Sequence, residues 1–273
     1  MIFMPWDEPC AKQIVLPPPI SVDDLVLPPE YRAVFDSVLE RLDSLGAQEM
    51  NPLLLTALTG SGGSGSIIPG WSDLDFLLVY EDNLSAGAYG AARSFCDAQN
   101  IHVGTTVYAK HAFEHGMVDA KTANSLLRFD EGTLYPLHNG PCLHAPRISR
   151  RMVRMHERGL VPSIIHDVQR SLSSKHWSAR PLYKQCIDLM KFTIRQSDIE
   201  PCSYADTLSG FSRLYPEVYT LPPPQVVMQM RNADVGAMVA SFIQSYLSQC
   251  IVPRPITRAD MPDSCSYEGG ENA

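Results

Sequence analysis

The two halves of the chain differ in the spacing of their hydrophobic residues. In the first half, short apolar or alternating runs predict three strands, at residues 53–58, 74–80 and 101–108. In the same half, apolar residues at helical spacing predict three helices, at residues 31–45, 85–99 and 112–127. These elements together predict a mixed sheet with flanking helices.

From residue 147 onward the strand pattern ends and helical spacing takes over. We expect helices at residues 147–171, 181–196, 204–215 and 225–249, with Gly159 and Pro162 as candidate breaks in the first of them. The polar segment from about residue 253 predicts a frayed tail. The predicted fold class is therefore α+β, with an N-terminal sheet domain at residues 1–145 and a C-terminal helical bundle at residues 146–273.

Composition narrows the class of protein. The chain has 273 residues, 45% of them hydrophobic, which is enough for a real core. Its formal net charge of −8 argues against general nucleic-acid binding. The seven cysteines include no C-x-x-C pair and indicate reduced thiols. No signal peptide or membrane-spanning run is visible, so we expect a cytoplasmic protein without a membrane partner.

One stretch between the first two predicted strands carries the candidate chemistry. Residues 60–66 are all Gly or Ser, and the chain then returns through Ser72 into a strand that carries Asp73 and Asp75. Side chains two apart on a strand share a face, so both carboxylates lie together beside the glycine loop. Free backbone N–H groups of such a loop bind phosphates, and paired carboxylates hold Mg²⁺. The alternative is a Gly/Ser linker followed by two solvated aspartates.

Gly60-Ser61, eleven further residues and then Asp73-Leu74-Asp75 resemble the signature of the DNA polymerase beta-type nucleotidyltransferase superfamily. Size and layout are similar to the kanamycin- and streptomycin-type antibiotic nucleotidyltransferases and to the minimal nucleotidyltransferases. The resemblance implies that residues 1–145 form a nucleotidyltransferase domain that uses ATP as the donor of AMP. It also implies Mg²⁺ on Asp73 and Asp75, and Gly60 and Ser61 beside the β- and γ-phosphates. Ser72 would complete the turn or contact a metal-bound water, and we favour the turn.

The sequence departs from the superfamily pattern at the third carboxylate. Related enzymes carry that acid on the neighbouring strand, but residues 101–108 contain none, and the corresponding position is Gly104. His102 shares a strand face with Gly104 and is a candidate general base, unless it only packs at the strand edge. The pair Asp130-Glu131 is the other candidate, unless it caps a loop.

An arginine run opens the predicted helical half. Arginines at positions 147, 151, 154 and 158 share one helical face. We expect Arg151 and Arg154 to contact the triphosphate or an anionic acceptor. The resemblance to enzymes whose helical-domain lysines reach the triphosphate implies the same contact for Lys184 on the next helix. The alternative is a solvated charged face.

The leading hypothesis from the sequence is thus an Mg²⁺-dependent nucleotidyltransferase. Its acceptor would be a small molecule rather than a protein hydroxyl or an RNA 3′ end, and the acidic chain favours a cationic one. A degenerate member that binds nucleotide or a partner without turnover is the second hypothesis, because the third acid is missing. A ribonuclease is the third, because Arg151 and His156 fit a loose Arg-x4–6-His pattern.

Overall fold

The computed structural model describes residues 6, 8–48, 50–85, 101–174 and 177–250. Its main sheet has four strands in the order β4-β3-β2-β5. Strands β3 and β4 are parallel and the other neighbours are antiparallel, so the sheet is mixed. A separate two-stranded ribbon joins β1 to β6. The bounds are β1 Lys12–Gln13, β2 Leu53–Thr59, β3 Leu74–Tyr80, β4 Val103–Ala109, β5 His138–Asn139 and β6 Arg147–Ile148.

Helices cover both faces of the sheet, because its two central strands are apolar on both sides. On β3, Phe76 and Leu78 belong to one buried cluster and Leu77 and Val79 to the other, as the alternation of strand side chains requires. The first cluster is closed by a long helix and the second by a shorter one. A short 3-10 helix at Val22–Asp24 precedes them, and the helices of this half are α1 Pro29–Gln48, α2 Gly60–Gly63, α3 Lys110–Glu114 and α4 Ala120–Asp130.

The second half of the chain is helical. Its core forms around α6, whose apolar residues are buried along most of the helix length. Trp71, which directly precedes the aspartate strand, is buried in this helical core edge-on to Tyr183, with ring centroids 5.4 Å apart. The glycine stretch is therefore anchored to the helices at its far end. The helices are α5 Arg150–Ser173, α6 Ala179–Arg195, α7 Tyr204–Leu214, α8 Pro224–Val227 and α9 Asn232–Cys250.

The predicted α+β class, a mixed sheet with helices followed by a helical part, is confirmed. Several boundaries differ from the sequence prediction. The third strand begins at Val103, and the first helix of the second half begins at Arg150 and continues through Pro162 without a break. The segments predicted as single helices at 112–127 and 225–249 are each divided in two, into α3 with α4 and α8 with α9.

The predicted helix at 85–99 and the predicted tail from 253 lie outside the described residues, apart from Ser85. The division of the chain at residue 145 stays a prediction. Within the ranges given above, none of the helices combines the length and the apolar character that crossing a membrane would need.

Candidate active site

The glycine stretch forms a tight turn directly after β2. Gly60 has φ +59°, a left-handed conformation that favours glycine, and starts the single helical turn of α2. A side chain on Gly63 would collide with the carbonyl oxygen of Leu58. The backbone can fold this closely only because these positions lack a Cβ atom, and the turn brings Gly60 against the carboxylate of Asp75.

Ser72 closes the return of this segment to the sheet. Its hydroxyl accepts a hydrogen bond from the backbone N–H of Ile68 at 2.9 Å, and its carbonyl oxygen accepts one from the Tyr31 hydroxyl at 2.9 Å. Ser72 is buried and also lines the cleft described below. These bonds are those of a residue that completes the turn.

The two aspartates are held from opposite sides. Asp73 accepts hydrogen bonds from Arg180 and Lys184, both on α6 in the helical half. Asp75 lies two residues further along and pairs with Lys121 of α4, with Nζ to Oδ1 at 2.9 Å. The carboxylate pair is therefore the point where the sheet, α4 and α6 meet.

Gly104 lies beside Asp75 in the parallel register of β3 and β4. A Cβ atom at Gly104 would approach Asp75 Oδ1 to 2.6 Å, so even the first atom of a third carboxylate would crowd this aspartate. Among the described residues, no group of three or more His, Cys, Asp or Glu side chains converges as a metal site. Two carboxylates therefore lie together here, and the cations paired with them are Lys121, Arg180 and Lys184.

A cleft of about 460 Å³ opens in front of the aspartates. Its walls are the glycine turn, the start of β3, one face of α4, one face of α6, residues 157 and 160 of α5, and residues 201–204. Gly60, Ser61, Ser72, Asp73, Asp75 and Lys184, six of the residues predicted from the sequence, line this single space. The structure therefore brings the proposed phosphate-binding turn, the carboxylates and one predicted lysine together.

The predicted general bases do not line the cleft. Asp130 pairs with Lys12 at 2.7 Å and accepts the backbone N–H of Val15, and Glu131 pairs with Arg150. His102 is exposed just before β4 begins. Asp130 and Glu131 are therefore paired elsewhere, whereas the carbonyl oxygen of His102 accepts the backbone N–H of Leu74, the residue between the two aspartates, at 3.0 Å.

The two arginines predicted to bind the triphosphate also lie elsewhere. Arg151 is exposed, and Arg154 is buried between Glu157 and Glu200, at 3.0 and 2.9 Å. Arg154 therefore compensates internal carboxylates. His156, the partner of Arg151 in the ribonuclease pattern, is exposed and packs edge-on against Trp6.

Sequence reasoning missed several charged side chains that line or adjoin the cleft. Lys121 and Arg128 come from α4, and Arg180, Asp188 and Lys191 come from α6. The available signal was spacing, since residues 184, 188 and 191 recur along one face of α6.

Burial perturbs two of these groups. Desolvation raises the pKa of the Asp188 carboxyl above its ordinary value, against the nearby positive charges of Lys191, Arg195, Lys121 and Lys184. Desolvation likewise lowers the pKa of Lys191, in opposition to Asp188. The Asp188 side chain lines the cleft, where 50% of its surface is accessible. A carboxyl with this shift, in a cleft, is a candidate for proton transfer.

Comparison with solved structures gives a likeness at the level of the fold. No family model and no curated protein sequence matches the chain. A crystal structure of spectinomycin adenyltransferase AAD(9) from Enterococcus faecialis, with ATP and spectinomycin, is similar to it with a TM-score of 0.47 and 13% sequence identity. The match covers 77% of this chain and 98% of that one. At this identity the likeness concerns the fold.

Proposed function

We propose that this protein is a nucleotidyltransferase that moves AMP from ATP onto a hydroxyl of a small molecule. The observation that carries the proposal is the meeting of three features in one cleft. These are the tight glycine turn, the carboxylates of Asp73 and Asp75, and the cations that α6 directs at Asp73.

The carboxylates fit Mg²⁺. This ion takes hard oxygen ligands, and in nucleotide sites it commonly uses one or two carboxylates together with substrate phosphates and water. Asp73, directly before β3, and Asp75, on β3, supply that number of carboxylates, and both line the cleft. When bound, Mg²⁺ would neutralise phosphate charge and so favour departure of pyrophosphate.

The turn and α6 would hold the triphosphate. Ser61 and the freed N–H groups of the turn supply donors beside Asp75, and Lys184 and Arg180 supply positive charge beside Asp73. Three cations surround two carboxylates, which leaves a surplus positive charge for the nucleotide. We infer that Lys184 and Arg180 turn from Asp73 to phosphate oxygens when ATP enters.

Asp188 is the carboxylate that we propose as general base. It lines the cleft near both Lys121 and Lys184, the lysines that contact Asp75 and Asp73. The acceptor oxygen would form a bond to the α-phosphorus while the bond from that phosphorus to the pyrophosphate oxygen breaks. The electron pair leaves with pyrophosphate, and the hydroxyl proton passes to the carboxylate of Asp188.

A small-molecule acceptor is supported by the dimensions of the site. A cleft of about 460 Å³ is in the range of small-ligand pockets, and helices wall it on two sides. An extended polymer would need a groove that continues across the surface.

The test is an assay with ATP labelled at the α-phosphorus and a panel of hydroxyl acceptors. Label in the acceptor together with unlabelled pyrophosphate supports adenylyl transfer. Lys184→Gln should weaken ATP binding about tenfold or more, since it removes a charge that contacts phosphate. Lys12→Gln, which alters only the surface pair with Asp130, should not.

Other outcomes of this assay separate the alternatives. ATP binding without turnover for any acceptor would favour the degenerate-member hypothesis. RNA cleavage without nucleotide would favour the ribonuclease hypothesis. Equal ATP affinity of Lys184→Gln and the unaltered protein would contradict the proposed phosphate contact.

A further inference from the structure

The charges that line the cleft are paired except at two places. At one end, Glu157 and Glu200 are both bonded to the same two arginines, Arg154 and Arg195. Two carboxylates and two guanidiniums make this network neutral. It is largely buried and leaves no net charge for a ligand.

Two further pairs are also balanced. Lys121 pairs with Asp75 at 2.9 Å, and Lys191 lies 4.0 Å from Asp188. Asp73, in contrast, has two cations, Arg180 and Lys184. The proposed triphosphate accounts for that surplus.

The remaining surplus charge is Arg128. It is only 7% exposed and lines the cleft from α4. Its Nη2 donates to the carbonyl oxygen of Thr133 at 3.3 Å, and its buried Nε donates to no acceptor. Within the described part of the chain, no carboxylate forms an ion pair with it. A guanidinium so buried is costly unless an anion compensates it.

We propose that Arg128 binds an anionic group, phosphate or carboxylate, of the acceptor. This inference rests on the proposed nucleotidyl transfer for the identity of the ligand, but the anion site itself does not depend on turnover. A planar guanidinium binds either anion through two parallel hydrogen bonds. Lys191 lines the same cleft, and its Nζ lies 4.0 Å from Asp188 Oδ1, close enough to balance the charge but beyond hydrogen-bond distance, so its donors can serve the anion as a second cation.

The position of Arg128 on α4 sets the distance between the anionic group and the reacting hydroxyl of the acceptor. Lys121 marks the aspartate end of the helix, and Arg128 follows seven residues later, about 10 Å along the axis. The anion therefore lies several ångströms from the reacting hydroxyl, as in a sugar phosphate. The negative charge of the whole chain suggested a cationic acceptor, but the charges of the cleft favour an anionic one.

The first test uses inorganic phosphate as the probe. Its affinity for the protein is measured by calorimetry and by the shift in melting temperature. The free protein and the protein saturated with Mg²⁺ and α,β-methylene ATP, which cannot transfer AMP, are both titrated. Arg128→Gln should bind phosphate at least tenfold more weakly than the unaltered protein in both states. Arg151→Gln, a change at an exposed arginine outside the cleft, should bind it equally well.

The same titrations give the contradicting result. Equal phosphate affinity in Arg128→Gln and the unaltered protein would overturn the proposal. Should Arg128→Gln not fold, Arg128→Lys keeps the charge but loses the planar fork. An Arg128→Lys variant that binds phosphate as tightly as the unaltered protein would overturn it as well.

A second test compares ribose with ribose 5-phosphate as acceptors of label from ATP. The phosphorylated acceptor should be favoured at least tenfold, and Arg128→Gln should remove the preference. The anion could also be a phosphate of a nucleic-acid backbone, and a short RNA with a free 3′ hydroxyl, offered as a competing acceptor, tests this source. If it outcompetes ribose 5-phosphate, the anion belongs to a nucleic-acid acceptor.

The two proposals fail separately. Absence of ATP binding would refute the nucleotidyltransferase while leaving the phosphate titration of the free protein intact. Adenylyl transfer without preference for the phosphorylated acceptor would refute the anionic acceptor alone.

Discussion

The two walls of the cleft are built in opposite ways. The sheet wall comes from one continuous segment, the glycine turn and the start of β3, so Gly60 and Asp75 are close both in sequence and in space. The helical wall combines α4 with α6, and Lys121 and Lys184 meet the aspartates from distant parts of the chain. Chemistry carried by one segment is visible in a sequence, whereas chemistry shared between helices depends on how the helices pack.

The walls also differ in what they can recognise. The sheet wall presents backbone donors and carboxylates, a combination suited to any metal-bound triphosphate. The helical wall presents the side chains of Arg128, Asp188 and Lys191, whose charges suit only an acceptor with complementary groups. We infer that the sheet wall holds the metal-bound triphosphate together with Lys184 and Arg180 of α6, and that Arg128 and Lys191 of the helical wall select the acceptor.

The largest expected effect lies at the sheet wall. Asp75→Asn should reduce turnover about 10³-fold or more, because it removes one of the two proposed metal ligands. Its fold should remain intact, since the side chain is partly exposed. Turnover at saturating Mg²⁺ and the circular dichroism spectrum are the measurements.

Asp130→Asn is the matched control for this aspartate. Asp130 pairs with Lys12 outside the cleft, so the variant should keep its turnover within about twofold. A large loss in Asp130→Asn would restore the base predicted from the sequence. Near-normal turnover in Asp75→Asn would refute the metal assignment.

The sequence predicted the sheet wall because its signals are local. Strand alternation places Asp73 and Asp75 on one face, and glycine run and strand follow each other directly. Asp130 does not line the cleft because it follows Lys121 by nine residues, about two and a half turns, and so lies on the opposite face of α4, where it pairs with Lys12.

The arginine of the helical half was misinterpreted for a different reason. From helical spacing alone, every arginine on a polar face is interpreted as exposed. Arg154 is instead buried and bonded to Glu200, which lies 46 positions away in the sequence. Helix spacing alone cannot indicate such a partner. The same limit hides Arg180, whose contact with Asp73 spans 107 positions.

The second prediction compares two arginines of α5. Arg154→Met should lower the free energy of unfolding by about 3–5 kcal/mol, since Glu157 and Glu200 lose a buried partner. Arg151→Met should change it by no more than about 0.5 kcal/mol. Chemical denaturation of both variants measures this. If Arg151→Met instead weakened ATP binding, the triphosphate contact predicted from the sequence would be right.

The third prediction concerns the pH dependence of the helical wall. A base acts only when deprotonated, so the rate should fall as pH drops through the pKa of Asp188. Burial raises that pKa above the ordinary 3.8, which moves the acidic limb of the pH profile to higher pH than an exposed aspartate would give. Asp188→Asn should lose about 10²-fold in turnover and lack this limb.

The raised pKa of Asp188 also affects the pH dependence of stability. Because the pKa is raised in the folded state, the contribution of Asp188 to stability is greatest below its unfolded pKa and is lost as pH rises through the folded one. Asp188→Asn should therefore be at least as stable as the unaltered protein at pH 7. An unchanged rate and an unchanged acidic limb in this variant would place the base elsewhere.

The smallest expected effect separates backbone strain from phosphate binding at the sheet wall. Gly60 has φ +59° and Gly116 has φ +70°, so alanine at either position should cost about 1 kcal/mol of stability. The two sites differ in what the new methyl group meets. At Gly60 it would lie 3.3 Å from Asp75 Oδ2 and displace that carboxylate slightly, whereas at Gly116 it would make an ordinary contact with Pro146 at 3.6 Å.

Gly60→Ala should therefore weaken binding of Mg²⁺ and ATP severalfold by calorimetry, while Gly116→Ala should lose only stability. Equal nucleotide affinities in the two variants would show that the turn is shaped for folding alone and does not bind the triphosphate.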